Sequence, residues 1–381
     1  MFGGFVLAAF FIGWADGTYQ DIINTFTRNQ LGHIQIHKEE YLDRPSLYKT
    51  INDLEKIAGV LTGITEVDSW TPRLFSAGLA SVGEKTAGVR IIGIDVKREN
   101  RTTNFRGKIT SGSMFSENLA SEVIIGKGLA KILKAKVGDE VIILSQAADG
   151  SIANDKYTIK GFIESGDEIG DRISFYLPLK TAQELLVLNG RVHEIAITLK
   201  RLSDLNRVKN LLIQRVDNEP LTVETWQEFA KSFYRAMKAD KEGMWIMLLV
   251  VMLVVAVGVL NTVLMAVLER RREYGVLKAI GTRPGQLIKM VLLEVNILGL
   301  LCVAAGIGVG LLLNYWASTQ GYSLSEPLSY GGMEFQTMKS IINARSFYLP
   351  AAIVAVSATL VSLFPAIKAA RTRPAQAMRV H

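Results

Sequence analysis

Residues 244–268, MWIMLLVVMLVVAVGVLNTVLMAVL, run for 25 positions without a charged side chain. As a helix rising about 1.5 Å per residue, such a run crosses a hydrocarbon core of roughly 30 Å with some tilt. A buried helix of a soluble protein is a poorer account of that length. The 43 Lys and Arg residues avoid this block and three others, residues 1–26, 290–316 and 347–367. The bulk figures of 49% hydrophobic and 21% charged residues therefore average over four charge-poor segments. They leave no room for a disordered chain, and Cys302, the only cysteine, excludes a disulfide scaffold or a Cys-based metal pair within the chain.

The block 290–316 is interrupted only by Glu294 and ends in the interfacial pair Tyr315 and Trp316. The block 347–367 is bracketed by Pro350 and Pro365. Residues 2–14 give only 13 apolar positions before Asp16, close to the core of a signal peptide. A signal peptide needs a basic lead, and none precedes this core, although Gly13-Trp14-Ala15 would pass as a cleavage site. The preferred reading is a first transmembrane helix that continues into a polar helix over residues 17–28, its cytoplasmic lead-in lying upstream of residue 1.

Charge sets the orientation. The segment 269–289 carries six basic and two acidic residues, the tail 368–381 four basic and no acidic ones, and the loop 317–346 only Lys339 and Arg345 as bases. Positive segments stay in the cytoplasm, so residues 27–243 lie outside, in a bacterium in the periplasm of the inner membrane. That region holds 31 basic and 29 acidic residues. The overall +7 thus reports topology, and nucleic acid is not among the expected partners.

The expected fold is a membrane α-helical protein with four transmembrane helices and a large extracytoplasmic α+β domain containing a small β-rich subdomain. Its parts are the first transmembrane helix (1–26), the periplasmic α+β domain (27–243), the second helix (244–268), a cytoplasmic coupling helix and loop (269–289), the third helix (290–316), a periplasmic loop (317–346), the fourth helix (347–367) and a cytoplasmic tail (368–381). Within the outer domain the pattern predicts a helix near 47–60, strands near 67–75, 86–94, 194–199 and 221–224, and a helix over 204–216. The β-rich insertion spans about 121–179.

The strand opening Gly32-His33-Ile34-Gln35-Ile36-His37 puts His33, Gln35 and His37 on one face. Four residues of strand span about 13 Å, too far for two histidines to share one ion, so solvated strand histidines are expected. His193 has no recognisable partner motif. No GxSxG, HExxH or cysteine nucleophile with context occurs. The chain also lacks the GxxxxGK[ST] frame, so no nucleotide or other cofactor is expected to bind it.

The most informative segment is ERRREYGVLKAIGTRPGQLIK, residues 269–289. A charged lead precedes a short helix carrying Tyr274, Val276, Leu277 and Ile280; Gly281 stops it, and Pro284 with Gly285 restarts the chain. Such a helix can dock in a partner's groove or anchor at a lipid surface. The segment, with Glu294 following, resembles the signature of ABC transporter permeases of the FtsX/MacB-like superfamily. That superfamily includes the lipoprotein-releasing (LolC/LolE-type), macrolide-efflux and cell-division permeases. The tail PAIKAARTRPAQAMR, with Pro374 after the last span, resembles the same family's C-terminal end.

The resemblance implies a homo- or heterodimer of permeases resting on a dimer of ABC ATPase subunits, which bind the ATP and Mg. Glu269, Arg270, Arg272, Glu273, Tyr274, Gly275, Lys278, Ala279, Gly281 and Thr282 would then form or support the ATPase contact, with Arg371 and Arg373 nearby. Asn261, Gly306 and Gly310 serve helix packing, and Glu294 pairs with a base such as Lys289 or Arg283. The short loop 317–346 and the Gly-His-Ile-Gln-Ile-His opening resemble the lipoprotein-releasing group more than the cell-division group, which implies lipoprotein release, with a periplasmic lipoprotein carrier or adaptor as a further partner. Tripartite efflux or peptide export is the alternative. A membrane-anchored sensor without an ATPase and a tethered enzyme are the other classes, the latter lacking a catalytic cluster.

Overall fold

The computed structural model describes residues 1–116, 121–216, 220–330 and 333–371, the side chains of 325–330 and 333–336 excepted. In chain order the elements are α1 (Phe2–Phe26), β1 (Ile34–Lys38), α2 (Leu54–Thr62), β2 (Val67–Val82), β3 (Lys85–Ile94), α3 (Val96–Thr103), β4 (Ile109–Gly112), β5 (Glu122–Gly126), α4 (Lys127–Leu133), β6 (Glu140–Gln146), β7 (Ile152–Ile163), α5 (Glu168–Asp171), β8 (Ser174–Pro178), α6 (Leu179–Leu185), β9 (Glu194–Leu199), α7 (Leu205–Val216), β10 (Leu221–Thr225), α8 (Trp226–Phe229), α9 (Lys231–Glu269), α10 (Arg271–Ala279), α11 (Pro284–Gln320), β11 (Tyr322–Tyr330), β12 (Met333–Met338) and α12 (Arg345–Ala370). They fall into two units whose boundaries lie inside α1, α9, β11 and β12. The helical unit comprises Met1–Asp21, Met237–Glu326 and the chain from Gln336, and the α+β unit comprises Ile22–Ala236 with Pro327–Phe335.

In the helical unit, α9, α11 and α12 are long and apolar enough to cross a membrane. Each outruns its charge-free block: α9 begins at Lys231 and α11 at Pro284, where the Arg283 backbone N–H donates to Gln286 Oε1 at 2.9 Å. Freedom from charge marks the apolar core of a helix; caps mark its ends. Helix α1 is continuous for 25 residues. Asp16 interrupts its apolar stretch, and it is not among those three helices. Its first half packs inside this unit, with Phe5, Ala8, Ala9 and Ile12 buried beside Leu248, Met252 and Val354. The expected loop 317–346 holds the two-stranded pair β11–β12.

In the α+β unit the sheet order is β10-β1-β9-β2-β3-β8-β5-β7-β4, and β6 pairs with both β7 and β2. Strands β2, β3, β8, β5, β7 and β6 therefore close a six-stranded ring. Leu74, Ile91, Ile125, Ile143, Tyr157, Ile159 and Phe175 fill it. The 16-residue β2 serves both parts, pairing through its first half with β9 and through its second with β6. A Cβ on Gly78 would lie 2.7 Å from the Leu144 carbonyl oxygen, so glycine permits that close strand approach. The expected β-rich insertion at 121–179 is thus corrected: its strands complete a barrel whose other wall is the β2–β3 hairpin. A hydrophobic pattern identifies strands but not their partners across 60 residues of chain.

Two further expectations change. The helix near 47–60 is α2, starting at Leu54, because Ile51 is held extended in a bridge to Val192. His37 in β1 and His33 just before it are buried, not solvated, at 1% and 0% exposure. Strand β1 lies between β10 and β9 with residues 34–37 buried whichever way they point, so alternation does not signal a wet face.

Candidate coupling site

Helix α10 follows α9 after a break at Arg270, whose backbone leaves the helical region (φ −92°, ψ 14°). Its inward face carries Tyr274, 2% exposed, and buried Gly275, set against Val263 and Val267 of α9, Leu287 and Val291 of α11, and Ala366 and Ala369 of α12. Burying an aromatic ring there fixes the helix by apolar contact with the ends of three long helices. Gly281 then turns the chain at φ +104°, a backbone region that L side chains rarely adopt.

Two polar contacts tie α10 down. Arg270 Nη1 lies 2.8 Å from Glu294 Oε1 on α11. Lys278 Nζ donates to the Ala370 carbonyl oxygen at 2.8 Å, at the C-terminal end of α12 where a cation also meets the helix dipole favourably. Glu294 therefore pairs with Arg270 rather than with Lys289 or Arg283, because the chain folds Arg270 back beside the start of α11. Lys278, expected to form or support the partner contact, is half-buried and ties α10 to the end of α12.

Of the remaining expected contact residues, Glu269, Arg272, Glu273, Ala279 and Gly281 are exposed and Thr282 is partly exposed. Arg371 is exposed at the end of α12, and Arg373 lies outside the described residues. Val276 and Ile280, 46% and 75% exposed, stand one turn apart among the charges. The sequence reading placed them on the helix but not at the contact. Their signal is an apolar i, i+4 pair facing away from Tyr274.

The packing residues are divided. A Cβ on Gly306 would lie 2.5 Å from Phe5 Cδ1, and one on Gly310 would meet Phe347 and Ala9 at 3.3 and 3.6 Å, so this face admits α1 closely. Asn261 on α9 is exposed. Sequence reasoning missed Asn314, fully buried, whose Nδ2 donates to Gly310 O at 2.9 Å and whose Oδ1 accepts from Ser340 Oγ at 2.5 Å.

The α+β unit holds a buried charge network. Arg73 donates from Nη2 and Nε to the two Glu99 oxygens at 2.7 and 3.0 Å, and from Nη1 to Glu194 Oε1 at 2.9 Å. His37 Nε2 lies 3.3 Å from Glu194 Oε2. Burial opposes the charge of both carboxylates. Arg73 with hydrogen bonds from Thr103 outweighs it at Glu99, as His37 and Arg73 do at Glu194, and both stay below the usual carboxylate range. Burial lowers His33 to about 4 and Lys108 to about 8. His193 accepts the Phe75 N–H at Nδ1 (3.0 Å) and donates from Nε2 to Leu47 O (3.1 Å), which defines its tautomer. Among the described residues no group of three His, Cys, Asp or Glu is arranged to hold a metal ion.

Comparison with known proteins bears on both units. The family described as FtsX-like permease C-terminal matches residues 245–374, and the MacB-like periplasmic core domain matches residues 1–215, more than half of the chain. The chain is 24% identical over 378 residues to the lipoprotein-releasing system transmembrane protein LolC of Neisseria meningitidis, covering 92% of this chain and 86% of that protein. It is 22% identical to LolE of the same system in Haemophilus influenzae, covering 90% and 85%. It is 24% identical to the macrolide export ATP-binding/permease protein MacB 2 of Aeromonas hydrophila, covering 66% of this chain and 39% of that protein. The chain belongs to the ABC transporter permeases that join a MacB-like periplasmic core domain to an FtsX-like C-terminal permease region.

Proposed function

We propose that this chain is the permease subunit of an ATP-driven complex that releases lipoproteins from the bacterial inner membrane. A dimer of partner ATPases binds ATP and Mg and closes against α10. The motion passes through α9, α11 and α12 to the MacB-like domain in the periplasm. A second permease, identical or related, completes the transmembrane part, and a periplasmic carrier receives the cargo. Helix α1 is the fourth span, a reading supported by its packing against Gly306 and Gly310.

The observation that carries this reading is the fastening of α10: Tyr274 in an apolar seat, Arg270 on Glu294 and Lys278 on the end of α12. A helix bound to three others moves them when it is pushed. Its exposed face, Arg272, Val276 and Ile280 among others, is left for the ATPase. The cargo assignment draws on the lipoprotein-releasing relatives, which match along nearly the whole chain.

Purification in mild detergent tests the partner: an ATPase subunit co-purifies with the chain, and Ile280→Asp with Arg272→Glu abolishes the association. Retention of the chain without any ATPase would overturn the coupling role. Depletion in cells tests the cargo, and lipoproteins then accumulate in the inner membrane. Unchanged lipoprotein sorting with increased macrolide sensitivity would favour the efflux reading, which the MacB 2 relative supports.

A further inference from the structure

The α+β unit carries an open cleft of about 930 Å³, within the size range of small-molecule sites. Its walls are largely apolar, with Leu42 and Leu47 from the segment after β1 facing Phe75 and Val89 from the β2–β3 hairpin. Gln35, Ser46, Ser76 and Glu194 also line it, and two further polar groups are placed to receive a ligand. Arg90 is exposed, rests its guanidinium 4.8 Å from the centre of the Phe75 ring, and has no carboxylate partner among the described residues. Tyr41 is 8% exposed, and its hydroxyl, which makes no hydrogen bond to the described protein, is not enclosed and opens on the cleft.

These groups are held in place. The Tyr41 ring stacks between His37 and His193 at centroid distances of 5.5 and 5.2 Å, and His193 stacks in turn near Phe75 at 6.5 Å. The column ends at Arg90. Glu194 also borders the cleft, but Arg73 and His37 occupy its oxygens. A preformed, largely apolar trough with an exposed guanidinium that forms no ion pair among the described residues and a hydroxyl that opens on it suits a ligand having an apolar body and a planar anionic head. A hydroxyl that opens on the cleft can donate to a ligand's head group, and a guanidinium matches a carboxylate with two parallel hydrogen bonds.

We propose that this cleft binds a single-chain acyl amphiphile, with its carboxylate head on Arg90 and the Tyr41 hydroxyl and its tail along Leu42, Leu47 and Val89. The site lies wholly in the α+β unit and does not depend on the ATPase or cargo assignments.

The test uses the full chain in nanodiscs of zwitterionic lipid, irradiated with a diazirine-bearing fatty acid and, separately, with its uncharged methyl ester. Adducts are mapped by mass spectrometry. The carboxylate probe labels peptides containing residues 41–47 and 88–90, and unlabelled palmitate competes. Arg90→Gln reduces that labelling about tenfold, the loss expected for one charge-assisted contact, without changing the ester's labelling. Tyr41→Phe keeps the ring stack and weakens only the carboxylate probe. Equal labelling of wild type and Arg90→Gln, or adducts confined to the membrane helices, would overturn the proposal. So would displacement by an apolar peptide but not by palmitate, or by dodecyl phosphate at a tenth of the palmitate concentration.

Discussion

Arg270 Nη1 sits 2.8 Å from Glu294 Oε1, joining the break between α9 and α10 to the first turns of α11. The two residues are 24 positions apart and both about half exposed at the side chain. A pair of that exposure contributes about 0–1 kcal/mol to stability, so its larger consequence is positional: it ties the break between α9 and α10 to α11.

Charge reversal separates those effects. Arg270→Glu leaves the thermal midpoint of the detergent-solubilised chain within a few degrees of wild type and reduces several-fold the lipoprotein release proposed above, assayed with the partner ATPase in reconstituted vesicles. The swap Arg270→Glu with Glu294→Arg restores release. Failure of the swap to rescue would mean that Arg270 acts by touching the ATPase instead.

Removing Arg73 strands two buried carboxylates. Arg73→Met is expected to cost roughly 3–5 kcal/mol in the α+β unit, measured by chemical unfolding followed through Trp fluorescence. The sign with pH is distinct. In wild type, Glu99 and Glu194 stay below their ordinary values, so their contribution is fully present above about pH 4.3 and is lost as the pH falls through the lowered folded values. Without Arg73, burial raises both groups, and the variant's deficit relative to wild type shrinks as the pH is lowered from 7 to 5.

His193 links β2 to the segment after β1. His193→Phe retains the stacking on Tyr41 but leaves the Phe75 N–H and Leu47 C=O without a partner, costing about 1–3 kcal/mol locally. Amide hydrogen exchange in residues 41–48 accelerates, while the barrel strands β5 and β7 exchange as in wild type.

The glycine face of α11 tests the seat of α1. At Gly306 a methyl group would lie 2.5 Å from the Phe5 ring, so Gly306→Ala costs about 1–3 kcal/mol by overpacking and loosens α1, seen as faster proteolysis after Asp16. Gly310→Ala, whose nearest neighbour stands at 3.3 Å, is milder. Combining Gly306→Ala with Phe5→Leu recovers most of the loss.

Charge distribution alone located three helices able to cross a membrane and the short basic connection between two of them, because desolvating a charge within a hydrocarbon core is expensive and the chain records that cost directly. The motif at 269–289 identified the family and the short helix α10. Local signals also exposed the stop at Gly281 and the restart at Pro284, since both follow from backbone freedom at single residues. Tertiary structure decided what depends on distant partners. It buried His33 and His37 in a segment that looked half wet, closed β5–β8 onto β2 and β3, tied Lys278 to the end of α12 and gave Glu294 to Arg270. Alternation and composition describe each segment's demand for burial; which residues meet that demand is settled only when strands and helices far apart in the chain come into register.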